Sequence, residues 1–277
     1  MSASTRKRPL GLIAGLVLTG LLLAVALLSL VWTPASPTKM QILLKLKPPL
    51  VAGLLGTDQY GRDIASLLMV GAWNSLSIAF LSVLIGAGVG TALGLACAIK
   101  RAGIFATLVL RGCDVLFAIP PILSAMMLGA FIGPGRFTAI IAIGVFMIPV
   151  FTRIAFAAAS RIWARDYIMA ARACGKGAAR ISIAHVAPNI APPILVQVTI
   201  QLGLAILTEA GLSFLGLGLP PPAPTWGRML AEAQTFLRPA PWLALLPGLA
   251  IALSVLGFNL IGDGFRDLLD PKAETGR

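Results

Sequence analysis

Charged and apolar positions alternate along this chain in long blocks. Leu10–Trp32, Ile64–Ile99, Val115–Gly135, Phe137–Thr152 and Pro239–Gly262 contain no charged residue, and Ile181–Thr208 carries only His185. A membrane-crossing helix needs about 20 apolar residues, so the pattern predicts six spans. The first is 10–32; it follows Arg6, Lys7 and Arg8 but is too long for a signal-peptide core and lacks a small-residue cleavage site. Ile64–Ile99 exceeds one span, so its first part is read as an interfacial helix and the span starts near Asn74. The third span is Val115–Gly135. The fourth continues past Arg153, which can snorkel to the surface. The fifth starts near Asn189, and the sixth is Pro239–Gly262.

Between the fourth and fifth spans lies a polar, basic insert, Asp166 to Pro188, DYIMAARACGKGAARISIAHVAP. Asp166 is expected to cap a short helix and Gly175 to end it in a left-handed conformation. Tyr167, Ile168 and Met169 are apolar anchors beside a slim face of Ala170, Ala171 and Ala173. Such a helix fits the groove of another protein. It equally suits a lipid surface, with Arg172, Lys176 and Arg180 on head-group phosphates.

Composition agrees with the spans. The chain is 58% hydrophobic and 12% charged, with mean hydropathy +0.92; soluble domains carry about 25% charged residues. The net charge of +12 does not indicate nucleic acid, because basic residues sit at the ends of apolar runs without interleaved aromatics. With the N-terminus inside, 13 Lys and Arg fall on inner segments and 7 on outer ones, with Arg111 and Arg153 at span edges. This places both termini in the cytoplasm. The expected organisation is an inner segment 1–9, a span 10–32, an outer loop 33–73 with the interfacial helix, a five-span core 74–262 containing the loop 160–188, and an inner tail 263–277.

Three features inside the spans carry candidate chemistry. Gly86, Gly90 and Gly94 share one helix face, widened by Gly88, and invite close approach by a neighbour, as static packing or as a seam that shifts. Pro120-Pro121 must break or kink the third span, while Asp114 pairs with Arg111 at i,i+3 or lies near a pathway. Glu209 is either a pathway carboxyl or a group hydrogen-bonded near the outer end; its position, about 20 residues past Asn189, favours the latter. Cys97, Cys113 and Cys174 have no CxxC spacing, and a single histidine makes a His-based metal site improbable. No GxxxxGK[ST], HExxH or GxSxG motif occurs.

Four blocks, in order, resemble the C-type permease of the dipeptide/oligopeptide/nickel group of ABC importers. They are Leu55–Leu76 (LGTDQYGRDIASLLMVGAWNSL), Leu110–Leu123 (LRGCDVLFAIPPIL), Asp166–Asn189, and Glu209–Leu230 (EAGLSFLGLGLPPPAPTWGRML) running on through Pro247–Pro271. The third is similar to the EAA coupling loop, with Met169 in place of the usual glutamate. The resemblance implies an all-α, type I importer permease fold with six spans and a cytoplasmic coupling helix. It implies a sister permease, two ATPase subunits through which ATP acts, an external binding protein, and residence in a bacterial or archaeal inner membrane. Asp166, Tyr167, Met169, Ala170, Ala171, Arg172, Gly175, His185 and Pro188 would then serve ATPase coupling; Pro120, Pro121 and Glu209 are candidate pathway residues. No cofactor or metal is expected on this chain. Nickel import by the same machinery, or a proton-coupled secondary carrier using Glu209 or Asp114, are the alternatives.

Overall fold

The computed structural model describes residues 10–100 and 103–269. The expected inner segment 1–9, the end of the tail, and the basic residues Arg6, Lys7, Arg8, Arg101, Lys272 and Arg277 lie outside the described residues. Among the described residues, regular structure is helical apart from one isolated bridge, Thr57 to Asp63. The helices are α1 (Leu10–Leu28), α2 (Ile64–Ile99), α3 (Ile104–Ala118), α4 (Pro121–Ile132), α5 (Arg136–Trp163), α6 (Asp166–Ala173), α7 (Ala178–Ile181), α8 (Ala187–Phe214), α9 (Trp226–Ala233) and α10 (Trp242–Leu269). Helices α1, α2, α5, α10 and the continuous run Ala178–Phe214 are long and apolar enough to cross a membrane; α3 with α4 makes a sixth if that bent pair is one span.

Three expected boundaries are corrected. There is no break near Asn74: α2 runs unbroken for 36 residues, about 54 Å at 1.5 Å per residue. What was read as a separate interfacial helix is the start of α2, opened by Asp63, whose carboxylate accepts from Ser66 N at 2.8 Å. The third span is not one helix but two, meeting at 91°. Ile119 and Pro120 are both extended, with ψ of 123° and 128°. A proline forces its predecessor out of the helical region and supplies no amide, so two in sequence turn a corner and Pro121 opens α4. The helix that carries the fifth crossing begins at Ala178, ahead of the span start expected near Asn189. It passes through a widened turn, Ser182–Val186, where the Ala187 amide reaches back to Ser182 O. Pro188 has no amide for the preceding turn, and the widened turn absorbs that loss.

The most extensive packing is α2 against α5. Gly86, Gly90 and Gly94 form its seam. A Cβ on Gly90 would stand 2.6 Å from Ile148 O and 2.7 Å from Phe151 Cβ; one on Gly94 would stand 2.5 Å from Thr152 O. The α5 backbone fills the space a side chain would need. Gly88 does not belong to this face, since no atom lies within 4 Å of its Cβ position. A second close approach joins α1 to α10, where a Cβ on Gly15 would stand 2.9 Å from Gly257 O.

Candidate functional site

The polar insert folds against the end of the bundle where α5 stops and α8 begins. Helix α6 has two faces. Ile168 and Ala171 are buried, packed with Ala98, Ala155, Trp163, Ile181 and Val186. Tyr167, Met169, Ala170, Arg172 and Ala173 are exposed. Ala171 therefore belongs to the inward face, not to the slim outward face assigned from sequence. Two helical turns carry small residues on every side, and packing chooses between them. Arg172 lays its guanidinium 4.7 Å from the Trp163 ring centroid, which holds the helix to the end of α5.

The cap is also shifted by one residue. Arg165 is the N-cap, extended and without a side-chain cap bond, and Asp166 is the first helical residue. Asp166 does not cap; its carboxylate sits at the positive end of the helix dipole. Met169 thus falls one place beyond the position from which a glutamate completes a capping box. Gly175 has φ +78°. Its amide donates to Arg172 O at 2.9 Å and the Lys176 amide to Ala171 O at 3.2 Å, the paired bonds that close a helix around a left-handed residue. Lys176 Nζ lies 3.2 Å from His185 Nε2, tying the loop to the widened turn. Pro188 is exposed in the first turn of α8.

At the opposite end, α9 and the segment before α2 form a polar clasp. The Glu232 carboxylate accepts from Gln59 Nε2 at 2.9 Å, Arg62 Nη2 at 3.0 Å and Arg228 Nε at 2.8 Å. Arg62 Nε also donates to Asp58 at 2.5 Å. Arg62, Arg228 and Glu232, with Tyr60 and Pro221–Pro224, border a cavity of about 160 Å³. Nothing in the sequence pairs residue 59 or 62 with 232; the only local signal is the i,i+4 spacing of Asp58 and Arg62.

Glu209 is fully buried beneath this clasp. Its Oε1 accepts from Ser213 Oγ at 2.6 Å, and the Ser75 and Thr225 hydroxyls lie beside the carboxyl group. Each of those hydroxyls accepts from a backbone amide, of Trp226 and Arg228 respectively, which leaves its proton free to point at the carboxyl. The other carboxylate oxygen, Oε2, is buried without a hydrogen-bond partner among the described residues, and Glu209 does not border either cavity. A second cavity, about 270 Å³, lies between α4, α5 and α8, lined by Phe146, Met147, Val150, Gln201 and Thr208 among others. Pro120 makes the corner before α4 and is not among its lining residues.

The structure is a bundle of helices long and apolar enough to cross a membrane, with a short two-faced helix clamped to one end. Residues 90–275 match the family described as "Binding-protein-dependent transport system inner membrane component", and the chain belongs to that family. It is 42% identical over 273 residues to the di/tripeptide transport system permease protein DppC of Pseudomonas aeruginosa, covering 96% of this chain and 89% of that protein. It is 38% identical to the dipeptide permease DppC of Alkalihalophilus pseudofirmus over 98% of this chain and 88% of the relative. It is 42% identical to the glutathione permease GsiD of Pectobacterium atrosepticum over 82% and 75%. In fold it is similar to a chain of the MetNI methionine ABC transporter solved in inward-facing conformations, with TM-score 0.61 and 20% identity, covering 74% of this chain and 97% of that one. The expected class is thus met: an all-helical, multi-pass inner-membrane permease of the ABC importer type, working with ATPase subunits and a substrate-binding protein and carrying no ATPase site of its own.

Proposed function

We propose that this chain forms half of the translocation pathway of a di- or oligopeptide importer, paired with a sister permease, and that α6 is the helix through which the ATPases drive it. The observation that carries the reading is the 42% identity to a di/tripeptide permease across 96% of the chain. The geometry of α6 supports the coupling role. Its inner face is fixed by Ile168, Ala171 and the Arg172–Trp163 stack, while Tyr167, Met169 and Ala170 are left outward for a partner. Met169 is apolar where a glutamate is usual, so its contact is one of packing rather than charge. The relatives quoted carry peptides and glutathione, which does not favour nickel. ATP closure of the partner subunits would push α6 and shift the bundle between inward-facing and outward-facing states.

The test is reconstitution in liposomes of the chain with its sister permease, ATPases and binding protein. The full complex is expected to accumulate a labelled dipeptide only when ATP is supplied, and the chain alone neither to hydrolyse ATP nor to transport. ATP turnover by the isolated chain, or peptide uptake without ATPases, would sink the reading.

We further propose that the α6 end is cytoplasmic and the α9 end external, in a bacterial or archaeal inner membrane, with both termini inside. The support is the basic asymmetry of the sequence. Cys174 is the exposed native thiol at the α6 end, whereas Cys97 and Cys113 are buried. A membrane-impermeant maleimide should leave Cys174 unlabelled in intact cells and react after permeabilisation. Leu43→Cys, at a position 95% exposed, should label from outside. The reverse pattern would invert the topology.

A further inference from the structure

One ion pair takes no part in the packing described above. Asp114 on α3 and Arg153 on α5 are bonded carboxylate to guanidinium, and Arg111 Nη1 stands 3.9 Å from the same carboxylate. Both partners remain open, Asp114 at 44% and Arg153 at 50% side-chain exposure. The Arg153 guanidinium also lies 4.9 Å from the centroid of the Phe117 ring. Such a pair is ordinary on a surface in water, but this one is not at a water-facing end. Arg136 and Arg161 bracket the apolar length of α5 and stand about 38 Å apart along its axis, against a hydrocarbon core about 30 Å thick. Arg153 is eight residues from Arg161, which puts it roughly 8 Å inside the hydrocarbon. An arginine can snorkel from there, but an aspartate, with one methylene, cannot. Held by that guanidinium, the half-open Asp114 carboxylate faces protein or a water-filled path rather than lipid.

The neighbouring surface favours the path. Ile143, Phe146 and Val150 line the cavity between α5 and α8. They step along α5 at helical spacing, and the next residue on that face is Arg153. Arg153 is not itself a lining residue of that cavity; it continues the α5 face that lines it.

We propose that Asp114 and Arg153 contact the substrate in the pathway, Arg153 receiving the terminal carboxylate of a passing peptide and Asp114 its terminal ammonium. This rests on the peptide-import reading above. A free peptide carries both charges, and the pair presents both complements side by side within a setting where charge-assisted bonds are strong. Between peptides each partner neutralises the other, so neither is left as a lone charge in a low-dielectric site. Phe117 offers the intervening backbone or side chain an apolar edge.

The test uses the full importer in liposomes, with wild-type uptake of a labelled dipeptide as the reference. Absence of that uptake would remove the peptide reading itself, independently of any variant. Asp114→Asn is expected to lower uptake of the free dipeptide about tenfold and to lower N-acetylated dipeptide much less; Arg153→Gln is expected to do the same for free against C-amidated dipeptide. The binding protein is common to all complexes, so a changed ratio reports the permease. A merely structural pair would scale both peptides down alike and leave the ratio unchanged, and that result overturns the proposal. Where a variant does not assemble, Val150→Cys on an otherwise cysteine-free chain decides. Labelling by a water-soluble methanethiosulfonate, slowed by peptide, supports an aqueous substrate path. No labelling in any nucleotide state means a sealed face, covered by the sister subunit, and overturns it.

Discussion

Gly90→Val is expected to prevent stable assembly of the bundle, whereas Gly88→Val should leave it intact. The two glycines are two residues apart on one helix, with equal helix propensity costs. They differ in what a side chain meets: the α5 backbone and Phe151 at Gly90, and open space at Gly88. Overpacking a close-packed core costs about 1–3 kcal/mol when side chains can yield. Here the obstacle at 2.6 Å is a carbonyl oxygen in a helix, which yields only if α2 and α5 separate along their length. The measurement is the thermal midpoint and size-exclusion profile of the detergent-solubilised protein. Equal behaviour of the two variants would refute the seam as the basis of the α2–α5 contact.

The second large effect separates two adjacent alanines. Ala170→Asp should leave insertion and stability within about 0.5 kcal/mol of the parent, as exposed substitutions do, yet cut ATP-driven uptake by an order of magnitude or more, in line with loss of a docking contact. Ala171→Asp should destabilise by roughly 1–3 kcal/mol, because it buries a carboxylate without a partner among Ile168, Trp163 and Ile181. Gly175→Val should resemble Ala170→Asp in uptake, since a branched side chain at φ +78° strains the closing turn by about 1–2 kcal/mol and displaces the loop. Uptake, ATP hydrolysis and cysteine cross-linking from Met169 or Ala170 to the ATPase surface distinguish the outcomes. Normal transport by Ala170→Asp with no cross-link in any nucleotide state would place α6 on lipid head groups instead.

Features with a local cause were legible in the sequence. Uninterrupted apolar length announced the crossings, and the four-residue spacing of Gly86, Gly90 and Gly94 announced a close approach. Gly175 marked a left-handed end because other residues rarely occupy that backbone region. The partner at the glycine seam was not legible, since nothing in α2 says that α5 fills it. The start of α6 was misplaced because Asp is a good cap by type; here the chain enters through an extended Arg165 whose side chain cannot accept from the first amides. The inward orientation of Ala171 depends on Trp163 and Ile181, which arrive from other elements. The contacts of Asp114 with Arg153, of Glu232 with Gln59 and Arg62, and of Glu209 with the neighbourhood of Ser75 and Thr225 bridge distant segments. No spacing rule encodes them.

The glycine seam has a mechanical consequence. Two helices separated by a layer of side chains can slide, because rotamers change as they pass. Helices α2 and α5 touch backbone to backbone at three successive turns, with no compliant layer between them. Bent or sheared, they resist as a single thick beam, and the stiffness of a beam rises steeply with its thickness. That beam reaches from the Trp163 side, where α6 is clamped, to the Asn74–Arg136 hydrogen bond of 2.5 Å at the other end. A displacement applied at α6 would therefore arrive at the far surface little diminished, and strain would collect where the structure is softer, at the Pro120 corner and the widened turn before Pro188.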